Sequence, residues 1–361
     1  MSESVELQNL TNENDISDAD EYDEEYYEEY HEEYPEEYYE KSKIRKVFGI
    51  ALKIVACLVA FAVVFTIGAE VIGASEYPKL VFYPELFLKT EQSHKVIMKP
   101  LSEPAYVEWM DSKGESVTIK NSEGYELNGV YLKKYDITKN YIIIFHPYAA
   151  GVSDMAKHAR FFHDMDFNVL VVESRGYGES EYEMSTFGYK ERYDVVDWAN
   201  YIVQRDKDSS IFLFGLGSGG STVLMASSLT MPSNVKGIIA DSAYADLEGL
   251  FKANVSEFYN LPSFPTVEFA SIFIEKNMGL DIKKVDVTEE VRNSKLPILF
   301  IQSGDDQIVP EKQSDELYEA CTVEGSDRLY ISNAYHCEAL NRKPIKYGEN
   351  INYFILHNID K

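Results

Sequence analysis

The feature that most constrains the fold is a series of short, wholly apolar runs that alternate with amphipathic segments. The runs are Tyr141–Phe145, Asn168–Val172, Ile211–Phe214, Val235–Ala240 and Ile298–Ile301. An apolar run without polar alternation is typical of a strand that is buried on both faces. Strands that alternate with helices predict a mostly parallel α/β sheet with helices on both sides.

The remaining segments complete this pattern. Amphipathic stretches predict helices over Met155–Asp164, Glu191–Arg205, Gly220–Leu229, Glu311–Ala320 and Tyr347–His357. Val117–Lys120 and Tyr125–Lys133 predict a hairpin that enters the sheet, and Arg328–Ile331 predicts a last strand. Residues 245–285 interrupt the alternation and are rich in aromatic residues, which predicts a small cap insertion. Ligands of such sheets bind at the carboxyl ends of the strands, so the loops there are the candidate site.

A glycine-rich loop, Gly215–Gly220, follows one predicted strand and opens a helix, and it supports two hypotheses. Gly215, Gly217 and Gly220 fit a dinucleotide fingerprint, with Asp241 after the next strand as the ribose ligand. This hypothesis is the weaker one, because the fingerprint usually lies in the first strand–helix unit. The second hypothesis is a nucleophile elbow, G-x-S-x-G, with Gly217 at the serine position.

Two later loops favour the elbow. Asp306 follows the strand Ile298–Ile301 and is the candidate triad acid, and His336 follows the last strand and is the candidate base. The order nucleophile position, acid, histidine along the chain is the order of the α/β-hydrolases. The sequence therefore predicts a site built from Gly217, Asp306 and His336.

With these motifs, residues 80–361 resemble membrane-anchored α/β-hydrolases of the serine aminopeptidase-like group, which are bacterial single-span esterases or peptidases. Further matches are Phe145-His146 in the oxyanion loop and Glu173–Ser180, which corresponds to the family pattern D-x-R-G-x-G-x-S. The resemblance implies an α/β-hydrolase fold, cleavage of ester or peptide bonds, and no cofactor.

The chain departs from the family at the loops that carry the chemistry. Gly217 replaces the elbow serine, and Pro147 replaces a glycine whose N–H would face the oxyanion. The N–H groups of Tyr148 and Ser218 remain as candidate oxyanion donors beside His146. These departures predict a catalytically impaired protein that binds a small ester- or peptide-like ligand.

Two other residues are considered as nucleophiles. Ser218 is an alternative for an active hydrolase, although the residue after the elbow begins the helix, about 100° away. Cys337 follows His336 directly, and we expect it to lie on the wrong loop for this role. Without a nucleophile, Asp306 and His336 form a buried hydrogen-bonded pair.

Metal binding is not expected, because the seven histidines lack the spacing of H-x-x-x-H or H-E-x-x-H. His158 and His163 are predicted to lie on the surface of a helix. Three cysteines (Cys57, Cys321, Cys337) are too few for a disulfide framework, and pairing of Cys321 with Cys337 stays open.

Residues 1–45 form an acidic tail that ends in a basic cluster. Residues 1–40 hold 17 acidic residues and no Lys or Arg, in a chain of net charge −27. This composition predicts disorder, and the tail is a candidate docking strip for a basic protein or cations, or a target of tyrosine phosphorylation. So acidic a chain is a poor partner for nucleic acid.

Residues 46–75 predict one transmembrane helix, since no charge occurs from Ile54 to Ala69 and Lys53 can extend toward the interface. A cleaved signal ending near Ala74 and a buried core helix are the alternatives. Basic residues at 41–46 predict a cytoplasmic N-terminus. Residues 76–361, the hydrolase domain, are then expected outside the cytoplasm of a single-pass cell-membrane protein.

Overall fold

The computed structural model describes residue 43 and residues 47–59, 82, 101–135, 137–259 and 262–360. The chain divides into two units, Met1–Ala69 and Glu70–Lys361. In the first unit, residues 47–59 are helical with mostly exposed side chains. Among the residues just given, no helix is both long and apolar enough to cross a bilayer. The predicted acidic tail and the predicted span beyond residue 59 lie outside the described residues.

The second unit is built on one eight-stranded sheet. Its strands are β1 (Glu115–Lys120), β2 (Glu126–Leu132), β3 (Asn140–Phe145), β4 (Asn168–Val172), β5 (Ser210–Leu216), β6 (Val235–Asp241), β7 (Ile298–Ser303) and β8 (Asp327–Ile331). The strand order is β1-β2-β4-β3-β5-β6-β7-β8. Strand β2 pairs antiparallel with β1 and β4, and every other pair is parallel. The predicted entry hairpin and mostly parallel sheet are confirmed.

Helices connect and cover these strands. They are α1 (Pro104–Lys113), α2 (Ala156–Asp164), α3 (Glu191–Arg205), α4 (Ser218–Ala226), α5 (Leu247–Tyr259), α6 (Ser263–Met278), α7 (Val287–Arg292), α8 (Glu311–Ala320), α9 (Ala339–Arg342) and α10 (Pro344–Asn358). Short 3-10 turns occur at Val152–Met155 and Ile282–Lys284. Helices α5 and α6 fill the segment 245–285, whose role as a cap stays a prediction. Helix α1 has no counterpart in the predicted pattern, because its apolar residues do not form a stripe.

The sheet separates two hydrophobic cores, as the uninterrupted apolar runs require. Along β3, Ile143 and Phe145 face the core that contains Trp198. The alternating residues Ile142 and Ile144 face the other core. Each fully buried aliphatic side chain of this kind stabilises the fold by about 1.5–3 kcal/mol. Both faces are therefore covered, and the carboxyl ends of the parallel strands are left to form loops at one edge.

A buried ion pair fixes the loop after β4. Arg175 is fully buried, and its Nε and Nη2 donate to the two carboxylate oxygens of Asp194 at 2.7 and 2.6 Å. Asp194 also accepts from the Asn121 side chain at 2.7 Å, and Glu123 accepts from Arg175 at 2.9 Å. Charged groups taken out of water are tolerated only when they are paired in this way. The pair ties the β1–β2 hairpin and the β4 loop to α3.

Arg175→Ala should lower the free energy of unfolding by about 3–5 kcal/mol, because it leaves the buried Asp194 carboxylate uncompensated. Chemical denaturation measures the change. The matched control is Lys312→Ala, which removes the exposed ion pair of Lys312 with Glu316 and should cost under about 0.5 kcal/mol. Equal losses in the two variants would contradict a structural role for the buried pair.

Candidate active site

The turn between β5 and α4 has the geometry of a nucleophile elbow. Gly217 stands between strand and helix with φ +55° and ψ −121°, a conformation that a residue with a side chain adopts only under strain. Its neighbours on either side need to be glycine. A Cβ on Gly215 would lie 2.2 Å from the Gly219 carbonyl oxygen, and one on Gly219 would lie 2.3 Å from the Phe145 carbonyl oxygen. Strand and helix backbones therefore meet closely under residue 217.

The missing side chain of residue 217 would point at the predicted histidine. A Cβ built on Gly217 would lie 3.2 Å from His336 Nε2, 3.3 Å from Cys337 Sγ and 2.9 Å from Pro147 Cβ. Two loops, those after β3 and β8, thus meet the elbow at the Cβ position of residue 217. The geometry agrees with the predicted register, in which Gly217 stands where a hydrolase carries serine.

Asp306 and His336 are hydrogen-bonded, with His336 Nδ1 2.8 Å from Asp306 Oδ2. The other carboxylate oxygen, Oδ1, accepts from the backbone N–H groups of Ile308 and Val309 at 2.9 and 2.8 Å. These bonds fix the carboxylate, and the carboxylate fixes the imidazole with Nε2 turned toward residue 217. The two loops after β7 and β8 therefore bring the predicted acid and base together.

The electrostatics of this pair favour a basic imidazole. Burial by itself lowers the pKa of His336, but the Asp306 carboxylate outweighs it and raises that pKa well above its usual range. In its neutral form, an imidazole held by a carboxylate at Nδ1 accepts a proton at Nε2, which is the role of a general base, and the raised pKa moves that neutral form to higher pH.

Of the three predicted oxyanion residues, His146 connects two loops, whereas Ser218 and Tyr148 were predicted to offer backbone N–H groups. His146 is buried, and its Nε2 accepts the N–H of Ser174 at 3.1 Å, so Nδ1 carries the proton and donates to the Pro147 carbonyl at 2.9 Å. Burial lowers the pKa of His146 to about 4, so the ring is neutral and ties two loops together. Ser218 begins α4, and its N–H belongs to the first turn, where backbone donors lack helical acceptors. The Tyr148 ring stacks on Phe187 at 4.8 Å.

Cys337 lies on the histidine loop, as expected, and not on the elbow. Its sulfur is nevertheless 3.3 Å from the Cβ site of residue 217. The sulfur and His336 Nε2 therefore lie against the same point beside the elbow. The reason is the backbone of Cys337, whose φ of +61° turns the side chain back beside its neighbour. No sequence pattern signals a left-handed cysteine.

A buried polar chain holds Cys337 in this conformation. The Cys337 N–H donates to Ser242 Oγ at 3.2 Å, and Ser242 Oγ donates to Asp241 Oδ1 at 2.9 Å. The second oxygen of Asp241 accepts from the Tyr347 hydroxyl at 3.0 Å. Ser242 is itself left-handed, with φ +56°. Such strained residues persist only when their surroundings determine them, and they cluster at functional sites.

Two other predictions, for Asp241 and His158, need correction. Asp241 is fully buried and both its oxygens are engaged, so it does not offer an oxygen to a ribose, as the dinucleotide hypothesis requires. His158 was expected on the surface, but α2 turns it onto Phe214 in the core. Burial lowers its pKa to about 3.

Cys321 and Cys337 are both free thiols. Within the described residues, no cluster of His, Cys, Asp and Glu fits a metal ion.

Asp241 generates a pH-dependent prediction. Burial raises its pKa to about 6, from 3.8. Below pH 3.8 the Asp241 carboxyl is protonated in both the folded and the unfolded chain. Between about pH 4 and 6 it is protonated only in the folded chain. The stability that this carboxyl contributes is therefore lost as the pH rises through this range. Asp241→Asn cannot ionise. Its unfolding free energy relative to the parent should therefore rise by about 2.4 kcal/mol between pH 4 and pH 7, measured by denaturant titration. A difference that stays constant over this range would refute the prediction.

Comparison with known proteins agrees with this geometry. Residues 140–278 match the family model described as alpha/beta hydrolase fold. The uncharacterized protein YqkD of Bacillus subtilis (strain 168) is 23% identical over 297 residues, which are 81% of this chain and 96% of that protein.

Two solved structures share the architecture. The Pyrococcus furiosus esterase Pf2001 superposes with a TM-score of 0.59 at 19% identity, covering 72% of this chain and 95% of that one. Est1E of Butyrivibrio proteoclasticus, with ferulic acid bound, superposes with a TM-score of 0.54 at 17% identity, covering 68% of this chain and all (100%) of that one. Together with the sheet order and the elbow, these matches show that the chain has the α/β-hydrolase fold.

Proposed function

We propose that this protein binds a small ester- or peptide-like ligand in a hydrolase cleft whose serine-dependent step has been lost. The observation that carries the proposal is Gly217. It occupies the elbow, and the place of its missing Cβ is 3.2 Å from His336 Nε2. The acid and base of a hydrolase are retained, while the group on which they would act is absent.

The expected loss of turnover is large enough to favour an impaired enzyme over an efficient one. Removing the serine of a protease triad lowers turnover by about 10⁶, or roughly 8 kcal/mol of barrier. A missing oxyanion donor costs a further factor of about 10²–10³, and Pro147 has no N–H to donate. Ser218 is a poor replacement, because it begins α4 and points about 100° away from the elbow direction.

The class of ligand follows from what the site retains. A carboxylate-held imidazole beside the first turn of a helix suits a carbonyl that develops negative charge on oxygen. The structural relatives that are named esterases support the same class. We therefore propose an ester or peptide carbonyl as the recognised group.

The proposal also includes an anchor. Residues 46–75 would form a single membrane span with the N-terminus in the cytoplasm and the hydrolase domain outside the cytoplasm. The apolar run between Lys53 and Glu70 and the basic residues at 41–46 support it. The acidic tail would then present its charge inside the cell to a basic protein or to cations.

Gly217→Ser should restore esterase activity. A serine hydroxyl there would lie within reach of His336 Nε2, so turnover of a short-chain nitrophenyl ester should rise clearly above that of the parent. The same variant should be less stable by about 1 kcal/mol or more, because φ at this position is positive and the new Cβ would lie 2.9 Å from Pro147 Cβ. Initial rates and thermal melting measure the two effects.

The control is the double variant Gly217→Ser/His336→Ala, in which turnover should fall again by about 10²-fold or more because the general base is gone. A parent that already matches Gly217→Ser in steady-state turnover would show that serine loss is not limiting. A folded but silent Gly217→Ser variant would show that the cleft has lost more than its nucleophile.

The orientation is tested by protease added to intact cells that express the full chain. Residues 76–361 should be digested and residues 1–40 protected, because the basic cluster retains the N-terminus inside. Antibody tags at both ends report the two outcomes. Protection of the C-terminal domain would refute the proposed orientation.

A further inference from the structure

Cys337 is a buried thiol beside the elbow, and serine hydrolysis gives it no role. Its sulfur and His336 Nε2 both lie against one point, 3.3 and 3.2 Å from the Cβ position of residue 217. A serine side chain at 217 would occupy that space. With Gly217, nothing from the elbow stands between the thiol and the space that a nucleophile would occupy.

The thiol stands beside two further groups of the site. Cys337 Sγ and His336 Nε2 lie 3.3 and 3.2 Å from the same point, and His336 Nδ1 is held by Asp306 at 2.8 Å. Asp306 in turn is fixed by two backbone N–H groups. A nucleophile, a base and a group that orients the base is the arrangement that activates a weak nucleophile. Here the nucleophile comes from the histidine loop instead of the elbow.

The conformation of Cys337 is held by a buried chain of hydrogen bonds. A left-handed φ is uncommon for a residue with a side chain, and here it is held by the Ser242 hydroxyl, which is itself ordered by buried Asp241. In contrast, Cys321 lies away from these groups and donates to the Ser326 hydroxyl at 3.2 Å. The two cysteines therefore form a natural pair of test and control.

We propose that Cys337 is an acyl acceptor, taking an acyl group from a thioester or an activated ester to form an S-acyl-cysteine. The proposal rests on the proposed function in one respect, the recognition of an acyl carbonyl by this cleft. It goes beyond that function because it assigns a covalent step to the parent protein.

The step balances as an acyl exchange. The Cys337 S–H proton passes to His336 Nε2, and the sulfur forms a bond to the carbonyl carbon. The carbonyl oxygen carries negative charge next to the first turn of α4, where the Ser218 N–H is a donor. The tetrahedral species then breaks its bond to the leaving thiolate or aryloxide, which receives the proton from His336. The products are the S-acyl protein and a free thiol or phenol, and no oxidant or reductant takes part.

The chemistry of the leaving group defines the substrate class. Exchange with a thioester breaks one acyl–sulfur bond and forms another, and an aryl ester releases a stabilised phenoxide. Burial raises the pKa of the Cys337 thiol, so proton transfer to His336 has to accompany attack. The Asp306 carboxylate assists that transfer because it makes His336 more basic.

The test is acylation of the full-length protein, solubilised in detergent, by 4-nitrophenyl acetate and by the acetyl thioester of N-acetylcysteamine. Peptide mass spectrometry should locate one acetyl group on Cys337, and neutral hydroxylamine should remove it, as expected of a thioester. Cys321→Ala should be acetylated like the parent, whereas Cys337→Ala should not be acetylated in the cleft. His336→Ala should slow the reaction by about 10²-fold.

Three results would overturn the proposal: no acetyl group on Cys337, equal rates at Cys321 and Cys337, or a rate that is indifferent to His336→Ala in a folded variant. Circular dichroism melting shows which variants are folded. If Cys337→Ala does not fold, the location and rate of acetylation in the parent and in Cys321→Ala decide the outcome.

A second variant separates this proposal from the proposed function. Gly217→Ser/Cys337→Ala has an elbow serine and no thiol in the cleft, so its ester turnover tests the lost-serine proposal alone. If this variant turns over the ester and Cys337 of the parent carries no acetyl group, the proposed function stands and the acyl-acceptor role of Cys337 is refuted. If Cys337 of the parent is acetylated and the variant folds but does not turn over the ester, the acyl-acceptor role stands and the proposed function is refuted.

Discussion

The close contact between the end of β5 and the start of α4 is the constraint on which the site depends. Neither Gly215 nor Gly219 has room for a Cβ, because each would collide with backbone carbonyls of the neighbouring segments. Only this approach lets the chain turn sharply enough for residue 217 to project over the sheet edge. The loops after β3, β7 and β8 are adjacent there because parallel strands end at one edge. The elbow therefore persists as a geometric feature even though its serine is absent.

Much of the fold was predictable because its signals are local. The apolar runs such as Tyr141–Phe145 are buried on both faces, and nothing but a central strand fits them. Asp306 and His336 were also predictable, since each follows a strand in the order that the fold requires. Helix α1 and the burial of His158 were not predictable, because both depend on packing against segments that are distant in the sequence.

The closeness of the Cys337 sulfur to the elbow is a feature that the sequence does not signal. The sequence places Cys337 on the histidine loop, where it lies, but it does not show the direction of the side chain. A left-handed backbone at Cys337, held by Ser242 and Asp241, reverses its direction. This conformation results from hydrogen bonds between residues about a hundred positions apart, which no local pattern encodes. The sequence does not show that the glycine at position 217 and the thiol of Cys337 lie side by side; only the structure does.

The central claim, that no serine of this protein acts as a nucleophile, is tested most directly by a fluorophosphonate probe. The probe is added to the full-length protein, and labelled peptides are identified by mass spectrometry. With Gly217 at the elbow, no serine should carry the phosphonate group, while Gly217→Ser should be labelled at residue 217. Labelling of Ser218, or of any other serine of the parent, would contradict the account.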